Sequence, residues 1–281
     1  MNPYGNIVLL TGASSGIGNA TAKLLAKEGF SVYGLSRRGQ GRTEFTGGGF
    51  LQMLAADLTD EGSVNAAVSH VLDIEKRIDI LINCAGNGVC GPVEECSPKD
   101  ALLQLDVNYL GIIRMLNAVL PGMRERQKGL IINIGSVGGI FAIPFQSLYS
   151  SSKFAVEALT ECLRIELLPY GVRAALIEPG DIKTGFTGSR VYAKRAQNSS
   201  YGDKFAAAIA QMEHDETHGM DPIEVAKVIY SVIKRKNPPV RVVVGFTYKL
   251  LVFLKRVLPS RLIEKILTLM YPNSKAGIEK K

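Results

Sequence analysis

Seven short apolar runs rich in β-branched residues recur along the chain, at 7–11, 31–36, 50–57, 78–84, 129–136, 172–179 and 240–246. Their apolar character is nearly continuous rather than alternating, the pattern of strands covered on both faces. Between them lie longer stretches whose apolar residues return every three or four positions, near 17–28, 60–76, 99–124, 149–170 and 221–235. Those predict amphipathic helices. Strand and helix alternate, so right-handed crossovers predict an α/β fold: a doubly wound, parallel, seven-stranded sheet with helices on both faces. No internal repeat and no Pro/Gly-rich linker divides the chain, and GQGRTEFTGGG at 39–49 reads as one flexible surface loop. The expected organisation is one domain over 1–245, followed by a helical extension over 246–281.

Composition narrows the class. At 281 residues with 46% hydrophobic and 21% charged positions, the chain can bury a large core, and the composition argues against extensive disorder. The four cysteines, Cys84, Cys90, Cys96 and Cys162, contain no CxxC pair and suit a reduced compartment. The apolar segment at 7–10 is too short for a signal peptide, and no apolar run approaches the ~20 residues that cross a bilayer. A cytoplasmic location is the expectation. The net charge of +7 is unevenly placed: from Lys234 onward twelve Lys/Arg face two Glu, so residues 1–233 sum to −3. The body is therefore not a basic nucleic-acid binder, and no zinc-finger, helix-turn-helix or RNP pattern suggests otherwise.

The first chemical signal follows the first strand. Gly12-Ala13-Ser14-Ser15-Gly16-Ile17-Gly18 lies between a strand and a helix. Glycines there allow a tight turn and a close backbone approach to ligand, and a helix N-terminus offers unpaired N–H groups to a pyrophosphate. The spacing G-x-x-x-G-x-G departs from the more familiar G-x-G-x-x-G, but the strand–turn–helix context is the one phosphate binding needs. At the end of the second strand stand Ser36, Arg37 and Arg38, with no carboxylate before Glu44. An acidic residue there would hold the ribose hydroxyl of NAD, whereas arginine accommodates the 2′-phosphate, so NADP(H) is favoured.

The second signal is Tyr149 and Lys153, four apart in a helix-patterned stretch and so on one face. A free phenol titrates near ~10 and is a poor acid or base at neutral pH. A neighbouring ammonium lowers that value toward the useful range. Tyr-x-x-x-Lys alone is common in helices that do no chemistry.

Taken together and in order, TGASSGIG (11–18), Asp57, NCAG (83–86), VNYLG (107–111), IGS (134–136), YSSSK (149–153) and PGDIKT (179–184) resemble the short-chain dehydrogenase/reductase family over about residues 6–245. The resemblance implies a Rossmann fold and an oxidoreductase acting on CH–OH groups. It implies Tyr149 as general acid/base, Lys153 as its pKa modulator and ribose contact, and Ser136 orienting the substrate oxygen. Asn108 would hold a water that links Lys153 to solvent. The cofactor would be held by Gly12, Ser14, Ser15, Gly16, Ile17, Gly18, Ser36, Arg37, Arg38, Asp57, Leu58, Asn83, Ala85, Gly86, Tyr149, Lys153, Pro179, Gly180, Ile182 and Thr184. Cys84 departs from the asparagine often found at its position. No metal is implied, and a homodimer or homotetramer is expected.

The substrate is read from two segments. The resemblance implies that the loop between Ser136 and Tyr149 lines the substrate pocket; here it is uncharged, and Val137, Gly138, Phe141, Ile143 and Phe145, with Phe186 beyond, are the expected pocket residues. By the same resemblance, residues 185–220 would be the family's variable lid over it. In the tail, Leu262, Ile263, Ile266, Leu267 and Met270 make an apolar stripe, open to three readings: packing on the body or a second subunit, a lid over the pocket, or a basic amphipathic contact with an anionic membrane. EPGDIKTGF and this tail look more like hydroxysteroid and retinol dehydrogenases than like oxoacyl-carrier-protein reductases. The expected activity is NADP(H)-dependent interconversion of a bulky apolar ketone or aldehyde and its alcohol, of hydroxysteroid dehydrogenase or carbonyl reductase type. The alternatives are an oxoacyl-carrier-protein reductase and a non-catalytic NADP-binding sensor. His214-Asp215-Glu216-Thr217-His218 has the histidine spacing of a zinc-protease helix, but Glu216 stands third rather than second, so it is not read as a metal site.

Overall fold

The computed structural model describes residues 2–271. Its main sheet runs β10-β8-β7-β5-β1-β2-β4-β3, comprising β1 (Ile7–Thr11), β2 (Ser31–Ser36), β3 (Arg42–Glu44), β4 (Phe50–Ala55), β5 (Ile80–Asn83), β7 (Gly129–Ile134), β8 (Val172–Pro179) and β10 (Arg241–Val244). Seven strands are parallel and correspond to the seven apolar runs. The eighth, β3, corrects the expected loop at 39–49: it pairs antiparallel with β4, Arg42 opposite Gln52 and Glu44 opposite Phe50. All three β3 residues are exposed, so the strand lacks the apolar signal that marks the others. β6 (Val89–Cys90) and β9 (Val191–Tyr192) form a separate two-stranded ladder.

Side chains of the buried strands alternate between two cores. Leu9, Tyr33, Leu81 and Ile131 face one side with α2 (Glu61–Glu75), α4 (Gly111–Glu125) and α5 (Ser147–Glu166). Val8, Leu10, Ile80, Ile82 and Ile132 face the other, with α1 (Gly16–Lys27) and α7 (Pro222–Ile233). That two-sided burial is why these strands are apolar throughout. Local chemistry sets the helix starts. The Asp60 side chain accepts from the N–H groups of Gly62 and Ser63 ahead of α2, and Asp221 caps α7 with Pro222 in its first turn. Ser97 and Asp100 form a capping box on α3 (Pro98–Leu105).

The continuous helix expected near 99–124 is interrupted. Between α3 and α4 lies a π-helical stretch, Asp106–Leu110, which buries Asn108 at the point where the sheet's crevice opens. The expected lid region holds α6 (Gly202–Thr217), whose Phe205, Ala208, Ile209 and Met212 build a small core with Cys90 and Ala196. After β10 the chain forms α8 (Phe246–Val257) and α9 (Ser260–Met270). The part of the expected extension after Tyr271 lies outside the described residues.

Candidate active site

Strand order reverses between β1 and β5, and the carboxyl ends of β1, β5, β7 and β8 open there into one cavity of about 870 Å³. Its floor begins at the glycine turn. Gly12 has φ +73°, and a Cβ on it would come within 2.9 Å of the Ala85 backbone. Gly16 has φ +51°, with a Cβ position 3.0 Å from Thr184 Cγ2. Both positions therefore demand glycine. Ser15 caps α1 without a side-chain hydrogen bond, so the first-turn N–H groups beside Ser14, Gly16 and Ile17 face the cavity unclaimed by a cap. These features fit the pyrophosphate of a dinucleotide.

The nucleoside end is bounded by Ser36, Arg37, Asp57 and Leu58. Arg37 is exposed at the end of β2, where its guanidinium can meet an anion. Asp57 is engaged locally: its carboxylate accepts from the N–H of Thr59 at 2.9 Å and from its hydroxyl at 2.8 Å. Those bonds hold its carboxyl below the usual carboxylate range.

At the reaction end, α5 projects Tyr149 and Lys153 toward the cavity, and the chain after β7 brings Ser136 beside them. Ser136 Oγ accepts from the N–H of Gly138 at 3.0 Å, which fixes its rotamer. Lys153 is 6% exposed, donates from Nζ to the carbonyl of Ile134 at 2.8 Å, and lies 5.9 Å from the centroid of the Tyr149 ring. Burial pushes the Tyr149 phenol up to about 12, partly offset by the Ser136 hydroxyl and reinforced by the Glu216 and Asp181 carboxylates. Burial pulls Lys153 down to about 8. Loss of hydration is the largest influence on both groups, raising the phenol and lowering the ammonium.

Four of the expected site residues stand outside the cavity wall. Asn108 is fully buried behind it: Oδ1 accepts from the N–H of Asn87 at 2.9 Å, and Nδ2 donates to Asn87 O and Ser152 Oγ, both at 3.0 Å. It thus braces the chain after β5, with Gly86 between it and Lys153. Asn83 turns into the sheet, donating to Asn133 Oδ1 at 2.8 Å, and Asn133 in turn donates to Thr160 Oγ1. Phe145 packs edge-on against Tyr201 and Phe205 in the lid core. Arg38 is exposed beyond the rim. The remaining residues expected at the cofactor, among them Ala85, Pro179, Gly180 and Ile182, line the wall, as do Val137, Gly138, Phe141, Ile143 and Phe186. The Phe186 ring lies 5.6 Å from that of Tyr149.

The far wall comes from the tail. Leu251 and Leu254 of α8 and Ile263, Ile266, Leu267 and Met270 of α9 line the cavity, so most of the apolar stripe read from the sequence faces it; Leu262 is exposed. Tyr248 ties this wall to the site. Its hydroxyl donates to Asp181, and its ring lies so close to Gly180 that a Cβ there would overlap it. Sequence reasoning missed Tyr248 because it lies 67 residues from its partner and in no motif.

The acidic residues of the HDETH segment also reach the cavity. Asp215 and Glu216 line it, and Glu216 is bound by Arg190 and by the Thr187 hydroxyl at 2.6 Å. Its histidines stay outside, stacked with ring centroids 4.3 Å apart. Among the described residues no three His, Cys, Asp or Glu side chains gather as a metal site.

The short chain dehydrogenase family pattern matches residues 6–195. This chain belongs to that family. The 3-ketodihydrosphingosine reductase of Bacteroides thetaiotaomicron is 39% identical to it, across 94% of this chain and 97% of the relative. The 17-beta-hydroxysteroid dehydrogenase type 1 of Mus musculus is 37% identical, across 84% and 72% respectively. Among solved structures, a short-chain dehydrogenase from Streptomyces avermitilis superposes with a TM-score of 0.79 at 28% identity, covering 96% of this chain and 98% of that one. The chain is accordingly a short-chain oxidoreductase acting on CH–OH groups with a nicotinamide cofactor, in the hydroxysteroid-dehydrogenase-like branch.

Proposed function

We propose that this protein is an NADPH-dependent reductase of a bulky, apolar ketone, with the long-chain keto base 3-ketodihydrosphingosine as first candidate substrate and steroid ketones as second. One observation carries the reading: Ser136, Tyr149 and Lys153 share a cavity with an apolar wall built from Phe141, Ile143, Phe186 and the inner face of α8 and α9. Burying a hydrocarbon chain or steroid skeleton there gains roughly 25 cal/mol per Å² of apolar surface. The ranking of the two candidates follows the relatives, since the sphingoid reductase matches nearly the whole chain, tail included.

When bound, the nicotinamide supplies the hydride. The Ser136 hydroxyl donates to the carbonyl oxygen and orients it. Tyr149, held as a neutral phenol by its raised pKa, gives that oxygen a proton as negative charge grows on it. Lys153 stabilises the phenolate left behind, and with its pKa near 8 it can pass on a replacement proton. Asn108 holds the Asn87 segment in place behind that exchange. Arg37, at the end of β2 with no carboxylate beside it in that turn, supports NADPH over NADH.

The test is a screen of 3-ketodihydrosphingosine, a steroid ketone and a short acyl ketone with NADPH and with NADH, following cofactor absorbance. Turnover of a bulky substrate with NADPH is expected, and Tyr149→Phe should abolish it while NADPH still binds. Activity confined to short polar or carrier-bound ketones, or full activity in Tyr149→Phe, would refute the reading.

A further inference from the structure

Helices α8 and α9 carry two apolar surfaces, and the cavity uses only one of them. On the outer side of α8, Phe246, Leu250, Phe253 and Val257 recur at intervals of four, three and four, a single helical stripe. They are 84%, 50%, 59% and 58% exposed. On α9, Leu262 and Leu269 stand two turns apart and are 43% and 81% exposed. Water-facing helices ordinarily turn such side chains inward, and an apolar strip of this length marks an interaction surface.

Charge identifies what covers it. Lys249 and Arg256 flank the α8 stripe, and Arg261 and Lys265 lie exposed on α9. None of the four is ion-paired with another described residue. Glu264 is the one acidic residue in the two helices, and from Lys234 to the last residue twelve Lys/Arg face two Glu. Two copies joined through this stripe would bring like charges together, whereas an anionic surface would neutralise them. No helix among the described residues is long and apolar enough to cross a membrane, so contact through this face is peripheral.

We propose that α8 and α9 seat the protein on an anionic lipid bilayer, with the Phe246–Val257 stripe in the boundary between headgroups and acyl chains and the flanking lysines and arginines on the lipid phosphates. The opposite face of the same two helices lines the cavity, so the docked protein holds its apolar pocket beside the membrane. The docking itself does not depend on which ketone is reduced.

Flotation of the full chain with vesicles of phosphatidylcholine alone, and of phosphatidylcholine with phosphatidylglycerol, tests this. The protein should float with the anionic vesicles only and be released by salt. Leu250→Ser with Phe253→Ser should abolish flotation. Lys249→Glu with Arg256→Glu should weaken it about fivefold or more per charge. Neither pair contributes to the cavity wall, so both should keep the wild-type melting temperature and NADPH affinity. Failure of the full chain to float with anionic vesicles, or flotation indifferent to both variants, would overturn the proposal. So would a fall in solution mass on replacing the stripe, which would assign that face to a second copy.

Discussion

Lys153→Met should make the protein more stable while removing its activity. The ammonium is 6% exposed, and burial lowers its pKa from 10.5 to about 8. At about 1.4 kcal/mol per pH unit, keeping that lysine charged near neutral pH costs the fold about 3 kcal/mol. Methionine has nearly the same length and no charge. It gives up the bond from Nζ to Ile134 O, worth about 1 kcal/mol, so the expected net gain is about 2 kcal/mol. For a chain of this length that is a rise of about 4 °C in melting temperature. The pH dependence carries the sign. Between about 8 and 10.5 the unfolded chain holds the Lys153 proton and the folded one has released it, so wild-type stability climbs with pH across that window. The methionine variant lacks the climb, and its advantage, full below pH 8, should close before about pH 10.5, where the wild type becomes the more stable by about 1 kcal/mol. Denaturant unfolding of both proteins near neutral pH and again near the upper end of the window measures the gap. A variant less stable than wild type near neutral pH, or a gap that does not change with pH, would refute the assignment of a buried, desolvated ammonium.

Two further outcomes follow from other parts of the molecule. Arg37→Glu should raise the KM for NADPH at least about tenfold relative to that for NADH, because a charge-assisted phosphate contact is replaced by repulsion; equal changes for both cofactors would remove Arg37 from the phosphate site. Glu157 on α5 and Glu178 on β8 are buried carboxyl groups near Arg241, and burial with mutual repulsion raises Glu157 to about 9. A group raised in the fold stabilises it below its ordinary value of 4.5 and loses that contribution as pH climbs toward 9. Glu157→Gln should therefore gain in melting temperature over wild type as pH rises from about 5 to 8, and a constant difference would count against a shared, buried proton.

Several features could be seen without coordinates because they rest on local rules. A strand buried on both faces must be apolar at nearly every position, so seven runs announced seven parallel strands. A turn requiring φ above zero must use glycine, so Gly12 and Gly16 were visible beside their strand. A four-residue step puts Tyr149 and Lys153 on one helix face in any fold. The short strand β3 was invisible because all of its side chains are exposed and carry no apolar signature. The π-helical stretch at 106–110 was hidden for a different reason: no residue type marks an extra residue in a helical turn, yet it decides where Asn108 points.

The sign of the pKa shifts was likewise a matter of burial. Proximity to Lys153 argued for a lowered phenol, but the depth of the cavity and the carboxylates of Asp181 and Glu216 raise it. Phe145 belonged to a loop that reads as pocket wall, yet it is drawn toward Phe205 and the lid core, a contact set by a helix sixty residues away.

The parallel strands, the phosphate turn and the catalytic residue types were legible in the sequence alone, because backbone geometry and helix periodicity tie those to neighbours within a few positions. The tertiary structure alone decided how the tail is used: Ile263 and Ile266 turned to the cavity, Phe246 and Phe253 turned to the outside, and Tyr248 pinned to Asp181 across 67 residues. Both faces of those helices are apolar, so periodicity could not tell which one would be buried; only packing against the rest of the chain makes that choice.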